Sequence, residues 1–93
     1  MADLPNLINV TRQDAPQLTH IVVLDHASGT DIWGVDVDGN PVTGRFSSPG
    51  NLPWGSVLGL ARAHSTWSFR EPGVEEIDPD TGDRRYRFTI ILD

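Results

Sequence analysis

TDIWGVDVDGNPVTGRF, residues 30–46, sets two alternating segments around a run of turn formers. Trp33, Val35 and Val37 alternate with Ile32, Gly34 and Asp36. Beyond the turn, Val42, Gly44 and Phe46 alternate with Thr43 and Arg45. A period of two on both sides of Asp-Gly is the pattern of a β-hairpin. With Asp38-Gly39 at the central positions of a two-residue turn, Val37 faces Asn40, Asp36 faces Pro41, Val35 faces Val42, and Trp33 faces Gly44. Val35 and Val42 then share a face, and the Trp33 ring lies over a bare glycine. Pro41 takes a non-hydrogen-bonded position, where its missing N–H removes nothing from the ladder. Its presence also predicts that the second strand lies at a sheet edge.

On the N-terminal side, His20-Ile21-Val22-Val23-Leu24 is a β-branched apolar run ending at Asp25 and the Ser28-Gly29 turn signal. It predicts a central strand buried on both faces. Residues 1–18 carry Pro5 and Pro16 with Leu4, Leu7, Ile8 and Val10 between them. They are expected to be an N-terminal arm, or a first strand over about Leu7–Arg12, attached to a single globular domain over 19–93.

On the C-terminal side, residues 47–56 form a turn-rich loop. Trp54, Val57, Leu58 and Ala61 recur at helical spacing and predict a short helix over Pro53–Ala63. Gly55 and Gly59 weaken it. Trp67 and Phe69 alternate with Thr66, Ser68 and Arg70 as in a strand, which Glu71-Pro72-Gly73 is expected to break. A second hairpin follows. Pro79 suits the first right-handed position of a four-residue loop and Gly82 its left-handed end. The pairs are then Asp78 with Asp83, Ile77 with Arg84, Glu76 with Arg85 and Glu75 with Tyr86. The last strand, roughly 83–92, places Tyr86, Phe88, Ile90 and Leu92 on one face. It outruns its hairpin partner, so a further segment must pair with its C-terminal half. The expected fold is α+β and β-rich: a small, mostly antiparallel sheet or partly closed barrel of about five to seven strands with one short helix.

With 93 residues, the chain is one domain with a modest core. A substrate cavity of enzyme size would occupy much of that core. Cysteine is absent, which excludes disulfides, thiol catalysis and cysteine-based zinc sites. The net charge is −6, and all seven basic residues are arginine. Only Arg84, Arg85 and Arg87 cluster, behind a run of acids, so direct nucleic-acid binding through phosphates is not expected. An acidic surface suits solubility or a basic protein partner. The N-terminus has no signal-peptide pattern, and no run reaches the eighteen or so apolar residues of a membrane helix. A cytoplasmic or virion-associated protein, with no membrane contact, is expected.

The motifs argue against catalysis and tight metal binding. A calcium loop of the EF-hand type needs glycine at its sixth position and glutamate at its twelfth. Counted from Asp36 those positions hold Pro41 and Ser47, and counted from Asp78 they hold Asp83 and Thr89. The chain has three histidines. His20 and His26 flank one strand, so they stand near opposite ends of it, about 20 Å apart if extended. No serine sits in a nucleophile-elbow pattern, and the loop GNLPWGS lacks the Gly-Lys-Ser/Thr ending of a phosphate loop. The paired carboxylates sit on wet turns, where the raised pKa of a general acid is not expected. No cofactor and no enzymatic activity are predicted.

Exposed features are therefore the candidate contact residues. They are Asp36 and Asp38 on one hairpin tip, Asp78, Asp80 and Asp83 on the other, and Trp54 with Arg62 around the helix. Tryptophan and arginine dominate interface hot spots, and Arg45 and Arg70 are further neighbours for Trp54. Two functions fit these features. One is a small acidic protein-binding module whose sheet edge and acidic tips engage a basic or nucleic-acid-handling partner, as an inhibitor or immunity-type protein does. The other is a self-associating structural subunit of a symmetric assembly, such as a phage capsid or tail component, completed by a neighbour at its arm or edge strands.

Overall fold

The computed structural model describes residues 4–50, 56, 59, 63 and 67–92. Five antiparallel strands form a sheet that curls into an open half-barrel. They are β1 (His20–His26), β2 (Gly29–Val35), β3 (Phe46–Pro49), β4 (Trp67–Ile77) and β5 (Arg84–Leu92). Their order across the sheet is β3-β2-β1-β5-β4. The apolar run His20–Leu24 lies in the central strand, and Ile21, Val22, Val23 and Leu24 are all buried. The helix expected over 53–63 lies outside the described residues, except that Ser56, Gly59 and Ala63 have helical backbone.

Alternation divides the core in two. Ile21, Val23, Ile32, Trp67, Phe88 and Ile90 point to one face, where Leu7, Val10, Ala15 and Leu18 cover them. Val22, Leu24, Trp33 and Val35 form a second cluster on the opposite face. Both faces of the central strands are therefore withdrawn from water, which is why β1 reads as a continuous apolar run rather than an alternating one.

Residues 4–18 form neither an extended arm nor a regular strand. They cross the first face as an irregular segment with one 3-10 turn, Leu7–Asn9, capped by the Asn6 side chain. Leu7 and Val10 have no exposed surface. The Trp67 indole N–H donates to the Leu7 carbonyl at 2.7 Å, and the Gly44 N–H donates to the Pro5 carbonyl at 2.8 Å. Pro5 and Pro16 oppose regular pairing, while the apolar residues between them supply the cover that a curled sheet of this size requires.

The first hairpin departs from the expected register. Val35 bridges Pro41, not Val42. The Gly39 N–H donates to the Asp36 carbonyl, and the Asp36 N–H donates to the Asn40 carbonyl. The loop thus has three residues, Val37-Asp38-Gly39, with Gly39 alone at positive φ (87°). A two-residue turn of type I′ needs positive φ at both central residues, which aspartate adopts at more cost than glycine. The longer loop needs it only at glycine, and it lets the Asp36 carboxylate accept from the N–H groups of Asp38 and Asn40. A one-residue slip reverses every side chain beyond the turn. Val35 consequently joins the second cluster, whereas Val42 packs against the first. Pro41 still occupies a position where no ladder bond is lost, now opposite Val35.

After Val42 the chain leaves β2 and returns at Phe46, which pairs with Ile32. In between, the Gly34 N–H donates to the Thr43 hydroxyl at 2.7 Å in place of a carbonyl. A side chain at Gly34 would strike Leu18 and Thr43, so glycine is what admits this buried hydroxyl. β3 is an edge strand, as Pro41 predicts.

The second hairpin follows the expected register throughout: Ile77 pairs with Arg84, Glu76 with Arg85 and Glu75 with Tyr86. The Asp78 N–H donates to the Asp83 carbonyl, and Gly82 closes the loop at φ 77°. The expected break at Glu71-Pro72-Gly73 is instead a bulge within one long strand. Arg70 pairs with Thr89, and pairing resumes at Val74 with Arg87. The first half of β4 is thus the partner that the C-terminal half of β5 requires, with β1 on its other side.

Candidate functional site

The two acidic tips lie at opposite ends of the sheet. β1 sets His20 beside Val35 at one end and Asp25 beside Arg84 at the other. Asp36 and Asp38 therefore project from the His20 end, and Asp78, Asp80 and Asp83 from the His26 end. The seven residues of β1 separate them by roughly 20 Å. One small contact area cannot include both.

Within each tip the aspartates divide by role. Asp36 turns its carboxylate inward onto two N–H groups of its own loop. Asp78 does the same for the N–H groups of Asp80 and Thr81, at 2.9 and 3.1 Å, and lies 3.6 Å from Arg85. The hydrogen bonds from Asp80 and Thr81 hold the Asp78 carboxyl below its ordinary value of 3.8, with Arg85 adding to the effect against a smaller opposing push from burial. These two aspartates shape the turns. Asp38 and Asp80 are exposed and Asp83 is half-buried, so those three are the tip residues with side chains toward solvent. Trp54 and Arg62 lie outside the described residues.

Arginine is largely engaged within the chain. Arg85 reaches Glu76 at 2.9 Å, and Arg87 reaches the other oxygen of Glu76 at 3.2 Å. Arg84 lies 3.6 Å from Glu75. The clustered arginines are thus matched by β4 carboxylates across the sheet, as the Glu76–Arg85 pairing predicts.

A second constellation was not legible in the sequence. Asp31 lies 3.3 Å from His26 Nε2 and 3.4 Å from Arg45, and the Arg45 guanidinium stacks on the Trp33 ring at 4.1 Å. Burial pushes the Asp31 carboxyl up, but the Ser47 hydroxyl, His26 and Arg45 more than offset it and hold it below 3.8. His26 Nδ1 accepts from the Ser28 N–H, and its Nε2, shielded from water, faces Asp31. The slip alone would set Thr43 opposite Trp33; the further excursion of the chain between Val42 and Phe46 is what brings Arg45 there. The cluster ties β1, β2 and β3 together at the turn end and resembles a structural lock. A nucleophile poised beside a free base is not part of it.

His20, at the far end of β1, contacts the Thr19 hydroxyl at 2.8 Å. No group of three acidic or histidine side chains among the described residues is placed to hold a metal ion. Two shallow clefts of about 390 and 480 Å3 flank Ala15 and Pro16, with Arg12 at the rim of one and Asp14 and Gln17 at the other. Among the described residues no helix is long and apolar enough to cross a membrane. The chain matches no protein-family model, no curated protein and no solved structure.

Proposed function

We propose that this chain is a non-enzymatic, acidic protein-binding module whose partner is a basic or nucleic-acid-handling protein, with inhibition as the simplest consequence of binding. The observation that carries this reading is the distribution of charge. Arg45, Arg84, Arg85 and Arg87 each lie against a carboxylate of the same chain, while Asp25, Asp38 and Asp80 are exposed. These four arginines are neutralised within the chain, and the net charge of −6 is carried largely by exposed carboxylates, which would steer a cationic partner and orient it on approach. The test is affinity capture from cells of the source organism at low and high salt, followed by reconstitution with the purified partner. A defined complex that weakens as salt rises is expected. Retention of no heterologous protein, or a complex indifferent to salt, removes the reading.

The second reading, a subunit of a symmetric assembly such as a virion component, draws support from the outer edge of β4. Its other motivation is weaker, because the N-terminal segment that would reach a neighbour is folded onto its own core. Light scattering behind size-exclusion chromatography separates the two: a discrete oligomer at high salt favours the subunit, and a monomer favours the module.

A further inference from the structure

We infer that the outer edge of β4 at Val74–Ile77 accepts an extended, basic strand from a partner protein. The inference rests on the binding-module reading and assigns it a surface. β4 ends the sheet, with no further described strand beside it. Natural edge strands usually present charge and bulges on both faces. This one does so only in part. The bulge between Arg70 and Val74 interrupts the edge, and Pro72 has no N–H to offer. Beyond the bulge the strand is regular, and both faces carry an exposed aliphatic side chain. Val74 is 54% exposed on the face of Arg87, and Ile77 is 62% exposed on the opposite face. One added strand would cover both at once, because its own side chains alternate between the same two faces.

A second copy of this chain is a poor occupant. In an antiparallel pair, directly opposed residues share a face. A two-fold axis through the sheet therefore permits only registers that keep Val74 and Glu76 on one face and Glu75 and Ile77 on the other. Both registers that overlap Val74–Ile77 most fully place Glu75 against Glu75 or Glu76 against Glu76, and like charges directly opposed are unfavourable. Of the two, Glu75 is the one open to a partner's lysine or arginine, because Glu76 is held by Arg85 and Arg87. Glu75 pairs with Arg84 only at 3.6 Å with both side chains more than half exposed, a contact easily exchanged for another cation. Asp80, exposed at the adjoining tip, extends the acidic track. The fitting partner segment sets aliphatic residues opposite Val74 and Ile77, which lie on opposite faces, and basic residues between them, in the order aliphatic-basic-basic-aliphatic.

The probe is a capped synthetic peptide of the repeat valine-lysine-lysine-valine, about eight residues long so that it spans the edge with margin. The same repeat with glutamate in place of lysine is the control. Amide chemical shifts of the full chain are followed by NMR during titration, with hydrogen exchange measured at saturation. The lysine peptide is expected to perturb and protect amides within 74–77, to bind several-fold more weakly at high salt, and to lose at least tenfold in affinity for the double variant V74K/I77K. Both sites are exposed, so that variant retains its fold, which its own spectrum verifies. Glu75→Lys, also exposed, is expected to weaken binding in the same direction. Absence of binding, perturbation centred elsewhere, or affinity unchanged in V74K/I77K overturns the assignment. If the peptide fails while a salt-sensitive partner is still captured, the edge assignment alone falls. If both fail, the binding-module reading falls with it.

Discussion

Replacing Gly73 with alanine probes the bulge that makes β4 one strand. A Cβ built on Gly73 would stand 2.4, 2.6 and 2.8 Å from three atoms of the Phe88 ring. Ordinary carbon contacts are about 3.5–4.0 Å, so the ring or the bulge must move by about 1 Å. Phe88 is 3% exposed and packs edge-on against Phe69 with centroids 5.1 Å apart, so the ring has little room to yield. Overpacking of this kind costs about 1–3 kcal/mol. Gly73 is not at positive φ, so alanine also gains about 0.4–1 kcal/mol by restricting the unfolded chain. The net expectation is a loss of about 1–2 kcal/mol. A domain of this size loses about 4–8 °C in Tm per kcal/mol, so Gly73→Ala should melt roughly 5–15 °C below wild type. Urea denaturation and calorimetry measure this directly. Phe88→Leu destabilises by itself, but in that background Gly73→Ala should cost little, giving a coupling of about 1 kcal/mol or more in a double-mutant cycle. A neutral or stabilising Gly73→Ala, or strict additivity with Phe88→Leu, refutes the close approach of bulge and ring.

Three further outcomes are expected. Trp67→Phe removes the donor to the buried Leu7 carbonyl and should cost about 1–3 kcal/mol; hydrogen exchange should show residues 7–18 opening more readily than the rest of the core. At the first hairpin, Gly39→Ala forces a side chain into φ 87° and should cost about 1–2 kcal/mol, whereas Asp38→Ala, at a negative φ with an exposed side chain, should be nearly neutral; equal costs would restore the two-residue turn. A folded-state pKa held below the ordinary value means that the Asp78 carboxylate stabilises the fold fully above the usual carboxylate range, about pH 4, and that this stabilisation is lost as pH falls through the lowered value. Asp78→Asn should therefore lower Tm by a constant amount from neutral pH down to about pH 4, with the difference from wild type shrinking below that; a difference that grows on acidification contradicts the assignment.

The candidate contact residues were legible only as residue types in turns. Their division into loop-shaping Asp36 and Asp78 and outward-facing Asp38 and Asp80 depends on which N–H groups each carboxylate reaches. Two loops that look alike in sequence sit at opposite ends of the sheet because β1 separates them. The Asp31, His26 and Arg45 cluster was invisible for a related reason: it joins three strands whose relative register depends on the turn between β1 and β2 and on the excursion between Val42 and Phe46.

Taken alone, the sequence determined the central strand, from an apolar run too long for a one-sided position, and the complete register of the second hairpin. There Pro79 restricts φ and Gly82 supplies the left-handed end, so one local geometry satisfies the whole loop and no distant contact is needed to choose it. At Asp36–Asn40 two loops were locally compatible, and they differ by a single residue of register. Only the folded molecule separates them, because the slip decides whether Val42 or its neighbours enter the first core and whether Thr43 can reach Gly34. The N-terminal segment is the same case on a larger scale. Its sequence left an arm or a strand over Leu7–Arg12 both open, and where Leu7 and Val10 go is set by a sheet face assembled from residues 21–90; burying that face is a requirement of the whole structure that no local stretch encodes.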